Sequence, residues 1–410
     1  MTTAIRCGAL VDGTGVAPLR GATLVLEGDT IVAVDPTGAV PRGADVIDAS
    51  GLTVLPGLID CHVHLTNSQE SIQQRLLTPY SLVVARTFAN ARATLEAGFT
   101  TVRDAAGAPR GVKLAIEQGL FPGPRLRITV SALAQTGGHG DATMPSGVSI
   151  RAGSPEHPVT VVDGVEQVRK ATRELVRAGA DHIKLATSGG VMSPASEPGA
   201  TGFAPEEIAV IVYEARAAGK PTMAHAQATQ GIKNAVLGGV DSIEHGIYLD
   251  EEVVDEMCRR STFLVPTLVA PLWVLRRAES DPESIPPYAL RKAKEVREAH
   301  HANFRMAVEK GARIALGTDS GVGPHGTNAE ELQLMVQAGM TPMAALVAAT
   351  RTAAECVGLG HLTGTLEPGK RADVLAVDGD PLADVTLLQN RSRLALIMKD
   401  GRPFKNNLAP

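Results

Sequence analysis

The sequence contains few aromatic residues and few cysteines. Phe, Trp and Tyr together make up 3% of the 410 residues, which argues against a chain built as a β-sandwich and against an aromatic platform for stacking bases. The cysteines are scattered without pair spacing, so neither a disulfide framework nor a cysteine-type zinc site is expected. They are Cys7, Cys61, Cys258 and Cys356. The 42 glycines and a hydrophobic content of 44% instead predict an aliphatic interior with many tight turns.

Long apolar runs and a strong charge of either sign are also missing. No run reaches the roughly 20 residues that a membrane helix needs. The sequence enters an alternating pattern at residues 3–6, without the basic start and apolar core of a signal peptide. The formal net charge of −5 provides no basic surface for nucleic acid. We therefore predict a cytoplasmic protein whose partners include neither nucleic acid nor a membrane.

The chain divides into two styles of sequence. Residues 1–55 read as short, half-buried strands with Gly/Asp turns, and this style returns at 364–410. In between, eight short apolar runs alternate with helix-like segments, which is typical of a (β/α)8 TIM-type barrel. The runs lie at 58–64, 100–104, 126–131, 182–186, 222–226, 242–245, 262–267 and 314–318. A single doubly wound sheet is the alternative.

These patterns predict an α/β protein with two domains. The barrel spans 56–363, and both chain ends pair into a small, discontinuous β-sandwich domain, 1–55 plus 364–410. About 50 residues separate the strand near Leu264 from the strand near Ala315, which is a long connection for a βα unit. We expect this insertion, 268–310, to form a lid over the carboxyl ends of the strands.

The strongest local signal for chemistry is the pair His62 and His64. In a strand, residues i and i+2 point to the same face, so the two imidazoles form a bidentate platform for a metal ion. One buried histidine is commonly a packed core residue, but two at this spacing leave several nitrogens to satisfy. Asp60, just before them, is a candidate to orient one of the rings.

Three further candidate ligands lie at the carboxyl ends of later strands. His225 lies next to the end of the run at 222–226, His245 is the last residue of the run at 242–245, and Asp319 follows the last run. Each alone is weak evidence, but barrels of this kind place their catalytic residues at these strand ends. With the histidine pair they form a convergent nitrogen and oxygen site suited to zinc or a similar divalent ion.

Lys184 is the unusual member of this set, because a metal cation repels an ammonium group. Carboxylation of its amine by carbon dioxide gives an anionic carbamate that can bridge two metal ions. In the other interpretation, Lys184 faces solvent or pairs with a carboxylate such as Glu206 or Glu207. The residues themselves leave both interpretations open.

Taken together, these residues resemble the amidohydrolase superfamily across essentially the whole chain. The segment 56–64 (PGLIDCHVH) matches the opening motif, and 369–373 (GKRAD) matches the return to the small β-domain. The ligands that follow in the family's order, on strands 4, 5, 6 and 8, are Lys184, His225, His245 and Asp319. The resemblance implies the binuclear subtype, with two divalent metal ions, most often zinc, and a carbamate on Lys184.

The resemblance also implies a mechanism. A hydroxide that bridges the two metals attacks an amide carbonyl. His62, His64 and Asp319 bind one metal, His225 and His245 bind the other, and Lys184 bridges them. Asp319 also serves as the proton shuttle to the leaving amine.

Three segments resemble the imidazolonepropionase-related group of prolidases, Xaa-amino acid carboxypeptidases and ochratoxin-type amidases. They are 135–141 (QTGGHGD), 182–190 (HIKLATSGG) and 243–246 (IEHG). This likeness implies hydrolysis of an amide or peptide bond to a C-terminal amino acid, with a small peptide or amide as substrate and a homo-oligomeric enzyme. It does not define the side-chain preference.

Four residues are candidates for contacting the substrate. His139 follows the third strand among glycines and is a candidate to polarise the carbonyl and to bind substrate. Tyr248, Arg103 and His325 are candidates to recognise a free carboxylate. Tyr248 comes first, because the resembled carboxypeptidases use a tyrosine in this region. In the other interpretation, Arg103 pairs with Asp104 or another carboxylate inside the barrel, and Tyr248 packs at the base of a loop.

Other activities compete with this interpretation. A cyclic amide, imidate or lactone hydrolase of the same superfamily retains the strand-4 lysine and stays an alternative. A deaminase usually lacks that lysine, so Lys184 argues against it. A catalytically inactive scaffold typically loses ligands, and every expected ligand is present in this sequence.

Overall fold

The N-terminal part of the chain folds into one side of a β-sheet. The computed structural model describes residues 2–144, 146–149 and 156–408. Strand β1 is antiparallel to β3 and parallel to β5, and Gly28, with a φ of +60°, makes the tight turn between β3 and β4. The strands are β1 (Thr2–Leu10), β2 (Leu19–Arg20), β3 (Thr23–Glu27), β4 (Thr30–Asp35) and β5 (Asp45–Pro56).

The middle of the chain supplies short parallel strands in two sheets. Strands β6 to β8 form one sheet, and β9 to β14 form the other in chain order. Nearly all their residues are buried, as expected for strands covered on both faces. They are β6 (Leu58–Val63), β7 (Phe99–Asp104), β8 (Arg125–Ile128), β9 (Ala132–Leu133), β10 (Ile183–Ala186), β11 (Thr222–Ala226), β12 (Ser242–His245), β13 (Phe263–Val265) and β14 (Arg313–Ile314).

Hydrogen bonds connect the outer strands of these two sheets. The residues that follow β14 run beside β6, where the Cys61 amide donates to the Leu316 carbonyl at 2.8 Å and the Asp319 amide donates to the His62 carbonyl at 2.7 Å. On the other edge, the Asp181 amide before β10 donates to the carbonyl at the end of β8. The carboxyl ends of β6 and β14 therefore lie side by side.

Two of the predicted strands differ from the observed ones. The run at 126–131 is divided into β8 and β9, because Val130 adopts a φ of +68° that a strand does not allow. The run at 314–318 is paired as a strand with β13 only as far as Ile314, and the rest continues as backbone hydrogen-bonded to β6.

The helices alternate with these strands and cover them with apolar faces. In α4, for example, Val168, Ala171, Thr172 and Leu175 are buried at the spacing of one helix face. The helices are α1 (Ile72–Leu77), α2 (Tyr80–Glu96), α3 (Arg110–Glu117), α4 (Gly164–Arg177), α5 (Pro205–Ala217), α6 (Thr229–Gly238), α7 (Glu251–Arg260), α8 (Val269–Ser280), α9 (Pro287–Glu309), α10 (Glu330–Gln337), α11 (Pro342–Ala348) and α12 (Arg351–Cys356).

The C-terminal strands return to the first sheet. They are β15 (Val374–Val377), β16 (Leu394–Lys399) and β17 (Arg402–Asn406). Strand β15 is antiparallel to β5, with Leu375 opposite Leu55, and the sheet order is β17-β16-β15-β5-β1-β3-β4, with β2 beside β1. Arg125 of β8 binds Asp373 beside this sheet at 2.6 Å. Both chain ends therefore share one eight-stranded sheet.

Helices α8 and α9 occupy the predicted insertion between β13 and β14. They pack in a separate apolar cluster against the loops that follow β10 and β12. Val191 and Ile247 come from those loops, while Val274, Ala289 and Val296 come from the helices. Among the residues that the structure describes, no helix combines the length and apolar character needed to cross a membrane.

Candidate metal centre and active site

His62 and His64 at the end of β6 meet Asp319, which follows β14. Asp319 Oδ1 lies 3.2 Å from His64 Nε2 and 3.6 Å from His62 Nε2. The backbone bond from the Asp319 amide to the His62 carbonyl holds the two segments together. The predicted histidine pair and the predicted carboxylate therefore converge on one point.

Three imidazole rings are fixed through one ring nitrogen each. The partners are Glu244 Oε2 for His62 Nδ1 (2.7 Å), the Ala106 carbonyl for His64 Nδ1 (3.0 Å) and Thr267 Oγ1 for His245 Nδ1 (2.7 Å). Metal-binding histidines commonly use one nitrogen for such a partner, which orients the ring and leaves the second nitrogen for the ion. The arrangement around these three rings has this form.

The donor atoms at the centre fit a metal ion. One ligand atom each from His62, His245 and Asp319 lies within 4.8 Å of the other two. Burial lowers the pKa of His62 and His245 well below the ordinary value, so both imidazoles are in the neutral form that binds metals. In the described part of the chain, no donor is aligned for a hydrogen bond to the buried Asp319 Oδ1. A buried carboxylate oxygen without a hydrogen-bond donor needs another positive partner, and a bound cation would provide one.

Lys184 of β10 points into this centre. Its Nζ lies 3.3 Å from His62 Nε2, and the side chain is only 4% exposed. Glu207, the alternative partner, instead accepts from the backbone amides of Gly164 and Ala204. Burial lowers the pKa of Lys184 to about 8, although Glu244 and Asp319 act in the opposite direction. A larger fraction of Lys184 than of an exposed lysine is therefore in the uncharged amine form, which is the form that reacts with carbon dioxide.

His225 and His139 form a second group next to this centre. Their rings stack with centroids 3.7 Å apart, and the His225 ring lies 4.6 Å from that of His245. His225 Nε2 contacts the Gly189 carbonyl at 2.9 Å, and His139 Nδ1 contacts Ser193 Oγ at 2.8 Å. For His225 to bind a metal through Nε2, the contact with Gly189 has to open.

A glycine makes this stacking possible. A Cβ atom on Gly190 would lie 2.3 Å from His139 Nδ1 and 2.9 Å from His225 Nε2, closer than real Cβ contacts. The loop after β10 can approach both rings only because this residue has no side chain.

Arg103 is buried and contacts the same Glu244 carboxylate as His62 Nδ1. Its side chain is 1% exposed, and it donates to the Cys61 carbonyl, to Ser242 Oγ and to Glu244 Oε1 at 2.6, 3.1 and 2.8 Å. Arg103 thus has an internal carboxylate partner, as the alternative interpretation of the sequence expects, and its burial argues against contact with a substrate carboxylate. Its charge compensates Glu244 within the interior instead.

Glu244 is the residue that sequence reasoning missed. It connects Arg103 to His62, and its own Oε1 also accepts from Ser242 Oγ at 2.6 Å. Asp60, the expected partner for a ring, instead accepts from Thr318 and Asn328. The available signal was that Ser242 and Glu244, two polar residues, lie two apart and therefore on the same face of one short strand.

The two remaining candidates for binding a substrate carboxylate, Tyr248 and His325, lie at the edge of the site. Tyr248 is half-buried and packs against the apolar cluster of α8 and α9, and burial raises the pKa of its phenol. His325 Nε2 contacts the Asn67 carbonyl at 2.9 Å, and burial lowers the pKa of His325 to about 4.

Strained backbone is concentrated at this end of the strands. His245, Thr267 and Asp319 have φ values of +73°, +52° and +61°, a region that side-chain-bearing residues rarely adopt. Such conformations persist where the surrounding structure enforces them, and they cluster at functional sites.

Comparison with known proteins identifies the family of this chain. The model of a family described as the amidohydrolase family matches residues 53–404. The chain belongs to the amidohydrolase family. This confirms the resemblance that the motifs suggested.

Several relatives of this amidohydrolase match along nearly the whole chain. Ochratoxinase of Aspergillus niger is 35% identical over 422 residues, which cover 98% of this chain and 86% of that protein. Imidazolonepropionase of Symbiobacterium thermophilum is 26% identical and covers 94% of this chain and 90% of that protein. The crystal structure of a Xaa-Pro dipeptidase with bound methionine superposes with a TM-score of 0.92 at 34% identity, covering 99% of this chain and 100% of the other.

These findings define the reaction class. The chain is a hydrolase that acts on C–N bonds of amides or peptides, and its family generally uses divalent metal ions.

Proposed function

We propose that this chain is a binuclear metal-dependent amidohydrolase that releases a C-terminal amino acid from a small peptide or an N-acyl or aryl amide. The observation that carries the proposal is the convergence of three fixed imidazoles, a partly buried carboxylate and a buried lysine at one point. Ochratoxinase and the Xaa-Pro dipeptidase, two similar proteins, support an amide or peptide bond as the target.

The proposal includes the architecture predicted from the sequence. We infer that strands β6 to β14 close into a (β/α)8 barrel over 56–363, and that 1–55 plus 364–410 form a small β-sandwich domain. The bonds between β6 and the residues after β14 support the closure. Residues 268–310 would then cover the end of the barrel at which the candidate ligands lie.

The proposed metal ligands divide into two sets. His62, His64 and Asp319 would hold one ion, His225 and His245 the other, and a carbamate on Lys184 would join them. When bound, divalent ions such as zinc would supply Lewis acidity and lower the pKa of water toward neutrality. The mixed nitrogen and oxygen donors suit zinc.

The protein's own residues would move the proton and orient the substrate. The Asp319 carboxylate lies next to Nε2 of both His62 and His64. It would accept a proton from the attacking water and return it to the leaving amine. His139, held at Nδ1 by Ser193, would polarise the substrate carbonyl. Tyr248 and His325 remain the candidates for a free carboxylate.

A substrate panel tests this function. The purified enzyme is supplied with zinc and assayed on L-alanyl-L-proline, N-benzoyl-L-phenylalanine and its C-terminal amide, a cyclic imide and a lactone. Turnover of the first two, with loss on the C-terminal amide, is expected. Turnover of only the cyclic imide or the lactone would instead support the alternative cyclic amide or lactone hydrolase. Light scattering of the same sample tests the predicted homo-oligomer.

A further inference from the structure

We propose that Lys292, on the inserted helix α9, is a positioning residue that holds the loop 189–197 against His139. The inference rests on the role proposed above for His139. It gives the insertion a function beyond covering the site, because the helix then sets the geometry of one part of the catalytic group.

The environment of Lys292 points to this role. The side chain is fully buried, yet its Nζ donates to the Ser193 carbonyl at 2.8 Å and the Ser196 carbonyl at 2.6 Å, and it lies 3.7 Å from Glu197 Oε1. A buried ammonium is costly unless its donors are satisfied. Every one of these acceptors belongs to the same short loop, so the cost is offset only when the loop is in place.

The loop that Lys292 holds reaches both rings of the second histidine group. Ser193, whose carbonyl accepts from Lys292, uses its hydroxyl to contact His139 Nδ1 at 2.8 Å. Four residues earlier, the Gly189 carbonyl contacts His225 Nε2 at 2.9 Å, a contact that has to open when His225 binds a metal. In the metal-loaded enzyme, a shift of the loop therefore changes the environment of His139.

Helix α9 is itself tied to the strand ends. His300 Nε2 contacts the His245 carbonyl at 3.0 Å, and Asn303 Nδ2 donates to the Ile247 carbonyl at 2.8 Å. The helix thus links His245, at the end of β12, and the loop that follows it to the loop after β10. Because these two bonds fix the position of helix α9, they also fix the position of Lys292 relative to residues 189–197.

Arg291 offers a matched control. It is the neighbour of Lys292 on the same helix and binds the same loop through Glu197, with Nη2 and Oε1 2.7 Å apart. Its side chain is 48% exposed, so its ion pair is screened by solvent and contributes little. Arg291→Met and Lys292→Met each remove one cation that contacts this loop, but only the second removes the contact to Ser193.

The experiment compares these variants in the zinc-loaded enzyme, with L-alanyl-L-proline and N-benzoyl-L-phenylalanine as probes. Lys292→Met is expected to lower kcat by about 10- to 100-fold with KM changed by less than about threefold, because a misplaced polarising group acts on the transition state. Hydrogen exchange of the 189–197 amides should become faster, while metal content stays unchanged. Arg291→Met should differ from the wild type by less than about twofold in kcat.

A double-mutant cycle with Ser193→Ala tests whether Lys292 acts on the site through Ser193. If Lys292 acts through Ser193, the double variant loses little more kcat than Lys292→Met alone. Additive losses, a wild-type kcat in Lys292→Met, or unchanged exchange at 189–197 would overturn the proposal. Should Lys292→Met not fold, Ser193→Ala must lower kcat without raising KM, or the inference is wrong.

His139→Asn separates this inference from the proposed function. Full turnover in that variant would remove the role of His139 while the exchange measurement still reports whether Lys292 holds the loop. Loss of turnover in His139→Asn, together with wild-type turnover in Lys292→Met, would leave the proposed function intact and overturn only the inference.

Discussion

The two parts of the candidate site are held in different ways. The rings of His62, His64 and His245 are oriented by Glu244, by the Ala106 carbonyl and by Thr267. These partners lie within or directly after the central parallel strands. His139 and His225, in contrast, are contacted by a loop that an inserted helix holds from the other side. The first part is held by partners on or next to strands. In the second part a loop contacts both rings, although His225 itself lies on strand β11.

This difference follows from the physics of each support. Strand-held residues share a cooperative hydrogen-bond ladder and a large apolar core, so their geometry is formed before any ligand arrives. A loop depends on a few bonds and can shift by local opening at a small fraction of the global unfolding free energy. The strand-held rings therefore suit a fixed role in binding metal. Of the two rings that the loop contacts, His139 suits adjustment to the substrate, whereas His225 lies on β11 and is a proposed metal ligand.

The largest expected effect comes from Asp319, the carboxylate beside His62 and His64. Asp319→Asn removes the charge beside two imidazoles and the proposed proton carrier, so turnover should fall by at least about 10³-fold. Initial rates on the substrates of the panel measure the loss. Thermal unfolding should stay near that of the wild type. Asp255→Asn, an exposed carboxylate bound to Lys310, is the control. Turnover within about tenfold of the wild type in Asp319→Asn would remove it from the mechanism.

The next effect concerns Lys184. The wild type should contain close to two divalent ions per chain, and Lys184→Ala should retain about one or fewer and lose turnover by at least about 100-fold, because the bridging ligand is gone. Elemental analysis after extensive dialysis gives the stoichiometry. Lys233→Ala, which removes an exposed lysine bound to Glu252, should match the wild type. About one ion in the wild type, with full activity in Lys184→Ala, argues against a carbamate bridge.

The smallest of these effects tests how the strand-held part is organised. Glu244→Gln removes the charge between Arg103 and His62, so metal affinity should fall by about 10- to 100-fold. The metal-free protein should lose about 3 kcal/mol of its free energy of unfolding, because the buried Arg103 charge is left uncompensated. Competition with a chelator and urea unfolding measure the two quantities. Glu252→Gln, an exposed glutamate, is the control, and equal behaviour of both variants would contradict the role of Glu244.

Much of the site could be predicted because its signals are local. The spacing of His62 and His64 reports a shared strand face, and the positions of His225, His245 and Asp319 after apolar runs place them at one end of parallel strands. Strands β11 and β12 have the predicted bounds for the same reason. The break at Val130 was not predictable, since it depends on one φ value that valine itself disfavours.

What the sequence alone determined is the set of ligand types and the strand ends that carry them, because side-chain alternation and strand direction are properties of neighbouring residues. Only the tertiary structure decided which charges meet. Arg103 and Glu244 are 141 positions apart, and Lys292 and Ser193 are 99 apart, so no local pattern relates them. A buried charge takes the nearest partner that packing provides. For this reason Arg103 stabilises Glu244 beneath His62, and a helix from the insertion reaches the loop around His139.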